Sequence, residues 1–265
     1  MTIPPILLVG FGKMGGAMLA GWREQGIAHA VAVDPALPPS PGPDVTVVAT
    51  AADIPAGFTP SAVVLAVKPQ NAAETLPLHA RFAGSAVMLS IMAGKTIAGI
   101  AGLLGSNAAI VRAMPNTPAA VRQGITVACP GAGVSAAQRD LCDRLLTAIG
   151  AVAWVDDEAL LDPVTAISGG GPAYVFLLAE LLEKAGIEQG IPPALARLMA
   201  RQTVAGSGAL LAASTEESDD LRRAVTSPKG TTERALAVLM APDAWPAAMS
   251  QAIQAATVRS RELAG

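Results

Sequence analysis

The 265-residue sequence predicts an α/β protein: a doubly wound, mostly parallel sheet in the N-terminal half, then an all-helical C-terminal half. Three observations carry this. Short continuous apolar runs, beginning with Ile6 to Val9, have the pattern of parallel strands buried on both faces. They alternate with segments of helical spacing. Past Asp157 no strand-like run appears, and every apolar stretch has helical length and period.

The first run ends in a glycine-rich turn, and Met14 to Gln25 follows with helical spacing and Gly26 as its stop. Further strands are expected at Ala30 to Val33, Val45 to Val48, Ala62 to Val67, Ala86 to Ile91 and Ala109 to Ala113. The fourth is broken by Lys68-Pro69, because proline cannot donate to a ladder. Ile125 to Ala128 and Ala151 to Val155 read as two added strands around a helix from Ser135 to Ile149. Helices are then expected over Pro172–Ala185, Pro192–Ala213, Glu217–Val225, Thr231–Met240 and Ala244–Leu263. Gly171 and Pro172 give the first of these a sharp start. The expected domains are 1–157 and 158–265.

Composition narrows the function classes. With 52% hydrophobic and 15% charged residues, the chain can bury a core and is not disordered. A net charge of −3 has the wrong sign to attract nucleic acid. The two cysteines, Cys129 and Cys142, lack metal-ligand spacing and read as packing residues, so no metal site is expected. No stretch reaches the ~18 apolar residues of a membrane span, and no basic segment precedes the first strand. The expected location is cytoplasmic, with no membrane partner.

The turn Gly10-Phe11-Gly12-Lys13-Met14-Gly15 matches G-x-G-x-x-G between a strand and a helix. Gly10 permits the tight turn, Gly12 lets backbone approach a pyrophosphate, and Gly15 allows helix to pack closely on strand. Asp34 follows about 20 residues on, at the end of the second strand. Its carboxylate suits the adenosine ribose hydroxyls and repels a 2′-phosphate, which favours NADH over NADPH. The pattern therefore predicts a Rossmann-type sheet holding a nicotinamide dinucleotide. Loops at the carboxyl ends of the strands, around Val67-Lys68, Ala93-Gly94 and Asn116, would line the nicotinamide side. In the helical half, Val225 to Glu233 forms a turn feeding a helix, with hydroxyls and free N–H groups that can hold a small carboxylate. The helix following Pro172 is apolar on nearly every face, so burial between subunits is expected.

Taken together, GFGKMGGAM, AVKPQ, SIMAGKTI, RAMPNTPAAVRQG, ISGGGPAY, AVTSPKGTTERAL and VRSREL span nearly the whole chain. In them the sequence resembles the Δ1-pyrroline-5-carboxylate reductase family. The resemblance implies a Rossmann domain followed by a domain-swapped helical dimerisation domain, so a homodimer, and in many members a pentamer of dimers. It implies NAD(P)H-dependent reduction of the C=N bond of L-1-pyrroline-5-carboxylate to L-proline. Carried over by residue, Phe11, Gly12, Lys13 and Met14 would wrap the pyrophosphate, while Val67, Lys68 and Ala93 would meet the nicotinamide and its ribose. Ser227, Gly230 and Thr231 would hold the substrate carboxylate, with Ala93 beside the substrate. Thr232 would act as the catalytic residue by hydrogen-bonding the imine nitrogen. In this family that loop comes from the partner subunit. The chain departs from the family pattern at Lys229, where SPGGTT has a glycine, and at Asp34, where NADPH-using relatives carry Ser, Thr or Arg. The rival readings are a 3-hydroxyacid or 6-phosphogluconate-type dehydrogenase, which needs a catalytic lysine in the first helix of the helical half, where Lys184 falls late, after the apolar stretch, and a degenerate dinucleotide-binding sensor. Neither His29 nor His79, both in polar, loop-like surroundings, is given a role.

Overall fold

The computed structural model describes residues 2–105 and 107–264. Eight strands form one sheet: β1 Ile6–Val9, β2 Ala30–Val33, β3 Val45–Val48, β4 Ala62–Leu65, β5 Val87–Ser90, β6 Ile110–Met114, β7 Gly124–Pro130 and β8 Gly150–Trp154. Their order is β3-β2-β1-β4-β5-β6-β7-β8. All neighbours run parallel except β6 and β7, which pair antiparallel. The apolar runs explain why: β1, β2, β4 and β5 are buried along their whole length, as strands covered on both faces must be. The chain reverses direction across the sheet between β1 and β4, which opens a crevice at their carboxyl ends.

Helices cover both faces. They are α1 Lys13–Glu24, α2 Ala72–Thr75, α3 Ile97–Leu104, α4 Ala136–Thr147 and α5 Leu161–Val164, with 3₁₀ turns between them. Leu8 of β1 packs with Met18, Leu19 and Trp22 of α1 and with Leu145 and Leu146 of α4. Leu7 and Val9, on the opposite face, pack with Leu76, Phe82, Ile100 and Leu104. Period two along the strand thus divides the core in two. Cys129 and Cys142 are free and buried, and burial pushes the Cys142 thiol up to about 12. At this depth it is an inert packing group.

An ion pair ties β6 to the end of the sheet. Arg112 is only 5% exposed and donates to Glu158 Oε1 at 2.8 Å. The same oxygen accepts the Ile97 N–H at 2.8 Å, at the first turn of α3. One carboxylate therefore neutralises a buried guanidinium and satisfies a helix N-terminus, where negative charge is favoured.

The C-terminal helices are α6 Gly171–Glu188, α7 Pro193–Ala213, α8 Ser218–Ala224, α9 Thr231–Leu239 and α10 Trp245–Ala264. The chain falls into two compact units. One runs up to Gly169 and includes the segment from Ala256 onward, and the other is Gly170–Ala255. In the second unit α6 and α7 pack as a hairpin, with Gly186 close against Ala196. None of the residues of α6 is buried: Val175, Phe176, Leu177, Leu181 and Leu182 are all exposed, Phe176 by 67%. In α7 only Ala196 and Ala200 are buried.

Two expectations are corrected. The helix start falls one residue earlier than expected, with Gly170 and not Gly171 as the N-cap of α6, and it is not a clean start, since Thr165–Gly169 just before it forms a π-helical turn and Gly170 has αR backbone angles. The widened turn ends at Gly169, Gly170 links it to α6, and Pro172 falls in the first turn of α6, where its missing N–H costs little. As a result the helical run Glu158–Glu188 is, by length and composition, long and apolar enough to cross a membrane, which the interrupted reading of the sequence excluded.

Candidate cofactor groove and carboxylate loop

The three glycines of the first turn have separate steric reasons. Gly10 has φ +98° and a Cβ there would lie 2.7 Å from the Ala66 carbonyl oxygen. Only glycine adopts that backbone and tolerates that approach to β4. At Gly15 a Cβ would lie 2.3 Å from the Gly10 carbonyl oxygen, so α1 can sit this close to the turn only without a side chain. At Gly12 nothing lies within 4 Å of a Cβ. Its missing side chain answers to no protein neighbour and leaves the N-terminus of α1 open, as a bound pyrophosphate requires. Gly12 and Lys13 are exposed, and Phe11 and Met14 are partly buried against the core.

Asp34 is held in place by backbone. Its Oδ2 accepts the Phe11 N–H at 2.8 Å and its Oδ1 accepts the Ala36 N–H at 2.9 Å. The carboxylate is therefore fixed beside the glycine turn. Gly10, Gly12, Asp34, Val67 and Lys68 line one open cavity of about 460 Å³, together with Thr50, Ala51, Asn71, Thr75, Leu78 and His79. The cradle fits an extended dinucleotide: helix N–H groups at one part, a carboxylate beside it, and a partly apolar wall beyond.

Other residues singled out in the sequence lie elsewhere in the same unit. Ala93 is exposed in the turn after β5, where Gly94 has φ +70° and stands close against Leu263 of α10. Asn116 is buried after β6, and its side-chain oxygen accepts the Ile125 N–H at 2.9 Å, which joins this loop to β7. That bond leaves its amide group for any ligand contact.

The polar, loop-like surroundings that the sequence suggests for His79 are not what the fold gives it. The residue lies on the 3₁₀ segment Leu76–Phe82 and is 1% exposed. The apolar spacing of Leu76 and Phe82 around it was the available signal.

In the second unit, Ser227, Thr231 and Thr232 are exposed at the start of α9, with Gly230 as its N-cap. The Gly230 N–H donates to the Ser227 carbonyl at 3.0 Å, so that group closes the turn. The N–H groups of the first helical turn have no intrahelical partner and remain for an anion. Glu233 accepts the Lys229 N–H and braces the loop from within. Lys229 has φ +61°, the left-handed region where a side chain is strained. Thr226 donates to the Arg222 carbonyl at 2.6 Å, so its hydroxyl serves the end of α8. Lys184 donates to Glu180 at 2.7 Å, and that hydrogen bond raises its pKa, the opposite of what a catalytic lysine requires.

Comparison with known proteins bears on both units. A model of pyrroline-5-carboxylate reductase dimerisation matches residues 158–263. The pyrroline-5-carboxylate reductase of Pseudomonas aeruginosa is 38% identical over 269 residues, covering 100% of this chain and 98% of that protein. The Haemophilus influenzae enzyme of the same name is 38% identical over 76% of this chain and 74% of its own. Among solved structures, the reductase from Coxiella burnetii superposes with a TM-score of 0.87 at 30% identity over 98% of both chains. The Plasmodium falciparum pyrroline carboxylate reductase, solved with NADP bound, superposes at 0.82 with 27% identity over 98% of this chain and 99% of that one.

Proposed function

Because the chain belongs to the pyrroline-5-carboxylate reductase family, we propose that it catalyses the reduction of L-1-pyrroline-5-carboxylate to L-proline, the last step of proline biosynthesis. It is an oxidoreductase of a C=N bond that uses a nicotinamide dinucleotide. The observation that carries this is the 38% identity running the full length of a reductase, through both the cofactor groove and the carboxylate loop. Neither rival reading is favoured, since Lys184 is committed to Glu180 and the glycine cradle is intact.

The roles are those the family resemblance implies, and the glycine cradle and the open start of α9 support them. When bound, the reduced nicotinamide supplies the hydride that reaches the imine carbon. The turn Gly10 to Met14 holds the pyrophosphate through N–H groups of the turn and of α1, and Asp34 accepts from the adenosine ribose. Asp34 makes NADH the preferred cofactor. Val67, Lys68, Ala93 and Asn116 border the nicotinamide end. Ser227, Gly230 and Thr231 hold the substrate carboxylate at the start of α9. Thr232 hydrogen-bonds the ring nitrogen as its charge changes. Orientation of the two reactants supplies most of the acceleration, because a protonated imine is already a good hydride acceptor.

Residues 1–157 serve as the dinucleotide-binding domain and 158–265 as the helical substrate-binding and dimerisation domain. The exposed apolar faces of α6 and α7 support assembly as a homodimer, with a pentamer of such dimers as the larger form. The same faces account for the apolar run Glu158–Glu188 without a membrane, in a cytoplasmic enzyme whose partners are its own copies. Purified protein should oxidise NADH only when pyrroline-5-carboxylate is added, with proline as product. No substrate-dependent oxidation of NADH or NADPH would refute the proposal.

A further inference from the structure

The wall of the groove built after β4 contains a polar group that hydride transfer does not use. The Nδ1 of His79 lies 2.9 Å from the Thr75 carbonyl oxygen. A carbonyl can only accept, so Nδ1 carries the proton and donates. Burial holds the imidazole pKa below its ordinary value, reinforced by the charge of Arg81 and opposed by the Thr75 bond, which keeps the ring neutral near pH 7. Nε2 is then a bare acceptor. It is buried and has no partner, the one such side-chain atom among the described residues. Buried polar atoms are nearly always satisfied, so an orphan in the wall of a ligand groove points to the ligand.

Resting on the reading that this groove holds a dinucleotide, we propose that His79 is an adenine-specificity residue whose Nε2 accepts a hydrogen bond from the exocyclic N6 amine of the cofactor. The cavity orders the parts of the ligand. Pyrophosphate at Gly12 and ribose at Asp34 leave the base to the remaining wall, formed by Thr50 and Ala51 after β3 and by Leu78 and His79 after β4. Leu78 is 62% exposed, an apolar side chain suited to lie against a base. Around an adenine edge the ring nitrogens N1, N3 and N7 accept and only the N6 amine donates. A neutral histidine whose single proton is engaged by Thr75 complements that amine alone. Hypoxanthine carries a carbonyl oxygen at the same position, which would set acceptor against acceptor.

The test compares NADH with reduced nicotinamide hypoxanthine dinucleotide by fluorescence titration of the full-length protein, without imine. The native protein should bind NADH roughly tenfold more tightly, the scale of one satisfied against one opposed hydrogen bond. His79→Leu should weaken NADH to the level of the analogue and erase the preference. His79→Gln, whose amide can accept or donate, should take both bases with similar affinity, and it serves where the leucine variant does not fold. Equal binding of the two dinucleotides by the native protein would overturn the proposal while leaving the groove reading intact, and so would an undiminished preference in the variants. Failure of both dinucleotides to bind would overturn the groove reading itself, and this proposal with it.

Discussion

Replacing Asp34 with serine probes how the groove chooses between NADH and NADPH. Two backbone N–H groups, from Phe11 at 2.8 Å and Ala36 at 2.9 Å, hold the carboxylate at the end of β2. A ribose bound there would bring its 2′-substituent close to this fixed charge. Two unit charges 4 Å apart repel by about 1 kcal/mol in water and about 4 kcal/mol at an effective dielectric of 20. The groove is open to solvent, so the penalty on a 2′-phosphate should fall between these, roughly ten- to a hundredfold in binding. Serine removes that repulsion and also weakens the contact to an unmodified ribose, by about 1 kcal/mol. The ratio of kcat/KM for NADH to that for NADPH should therefore fall by at least about tenfold in Asp34→Ser. Initial rates with each cofactor at saturating imine measure it directly. Because the Phe11 N–H also loses its acceptor, a small drop in melting temperature should accompany the switch. Equal use of both cofactors by the native enzyme, or an unchanged ratio in the variant, would refute the reasoning.

Three other perturbations have defined outcomes. Thr232→Val keeps shape and removes the hydroxyl, so kcat should fall roughly ten- to a hundredfold with dinucleotide affinity unchanged, whereas Ser227→Ala should mainly raise the KM for the imine; a kcat within a factor of about two of native in Thr232→Val would reduce Thr232 to a helix-start residue. Lys229→Gly relieves a left-handed backbone at φ +61° and should leave activity intact while adding up to about 1 kcal/mol of stability in urea titration; a large activity loss would mean that the ammonium contacts substrate. Glu158→Gln weakens the pairing of a guanidinium that is only 5% exposed, and with Glu158 itself partly solvated the cost should be about 1–3 kcal/mol; an unchanged denaturation midpoint would show that solvent already supports Arg112.

The strands were legible because parallel pairing buries both faces, and Ile6–Val9 or Ala62–Leu65 can hardly be anything else between turn residues. The glycine turn was legible for a related reason, since its parts are contiguous and Gly10 and Gly15 each answer to a neighbour one turn or one strand away. What the sequence concealed depends on distant partners. Glu158 looks like a surface residue until Arg112 and the start of α3 arrive beside it. His79 looks solvated until the 3₁₀ segment turns it inward. Ser168 to Pro172 reads as a fresh helix start, yet here a π-turn takes up Ser168 and Gly169 directly ahead of α6. Lys229 matched its family pattern poorly, and only the backbone angle showed that the loop keeps the glycine-like conformation with a lysine in it.

The absence of any buried residue in α6 has a consequence for how this chain reaches its folded state. A helical hairpin gains most of its stability from tertiary packing, and α6 and α7 offer each other little of it beyond Ala196 and Ala200. The sheet unit can collapse on its own cores at a rate independent of dilution. The helical unit must wait for an encounter with a second chain. Refolding should accordingly show a first-order phase followed by one whose rate rises with protein concentration, and the melting temperature should rise with concentration too. In a cell, the slowest step toward an active enzyme would then be set by how many copies have been made.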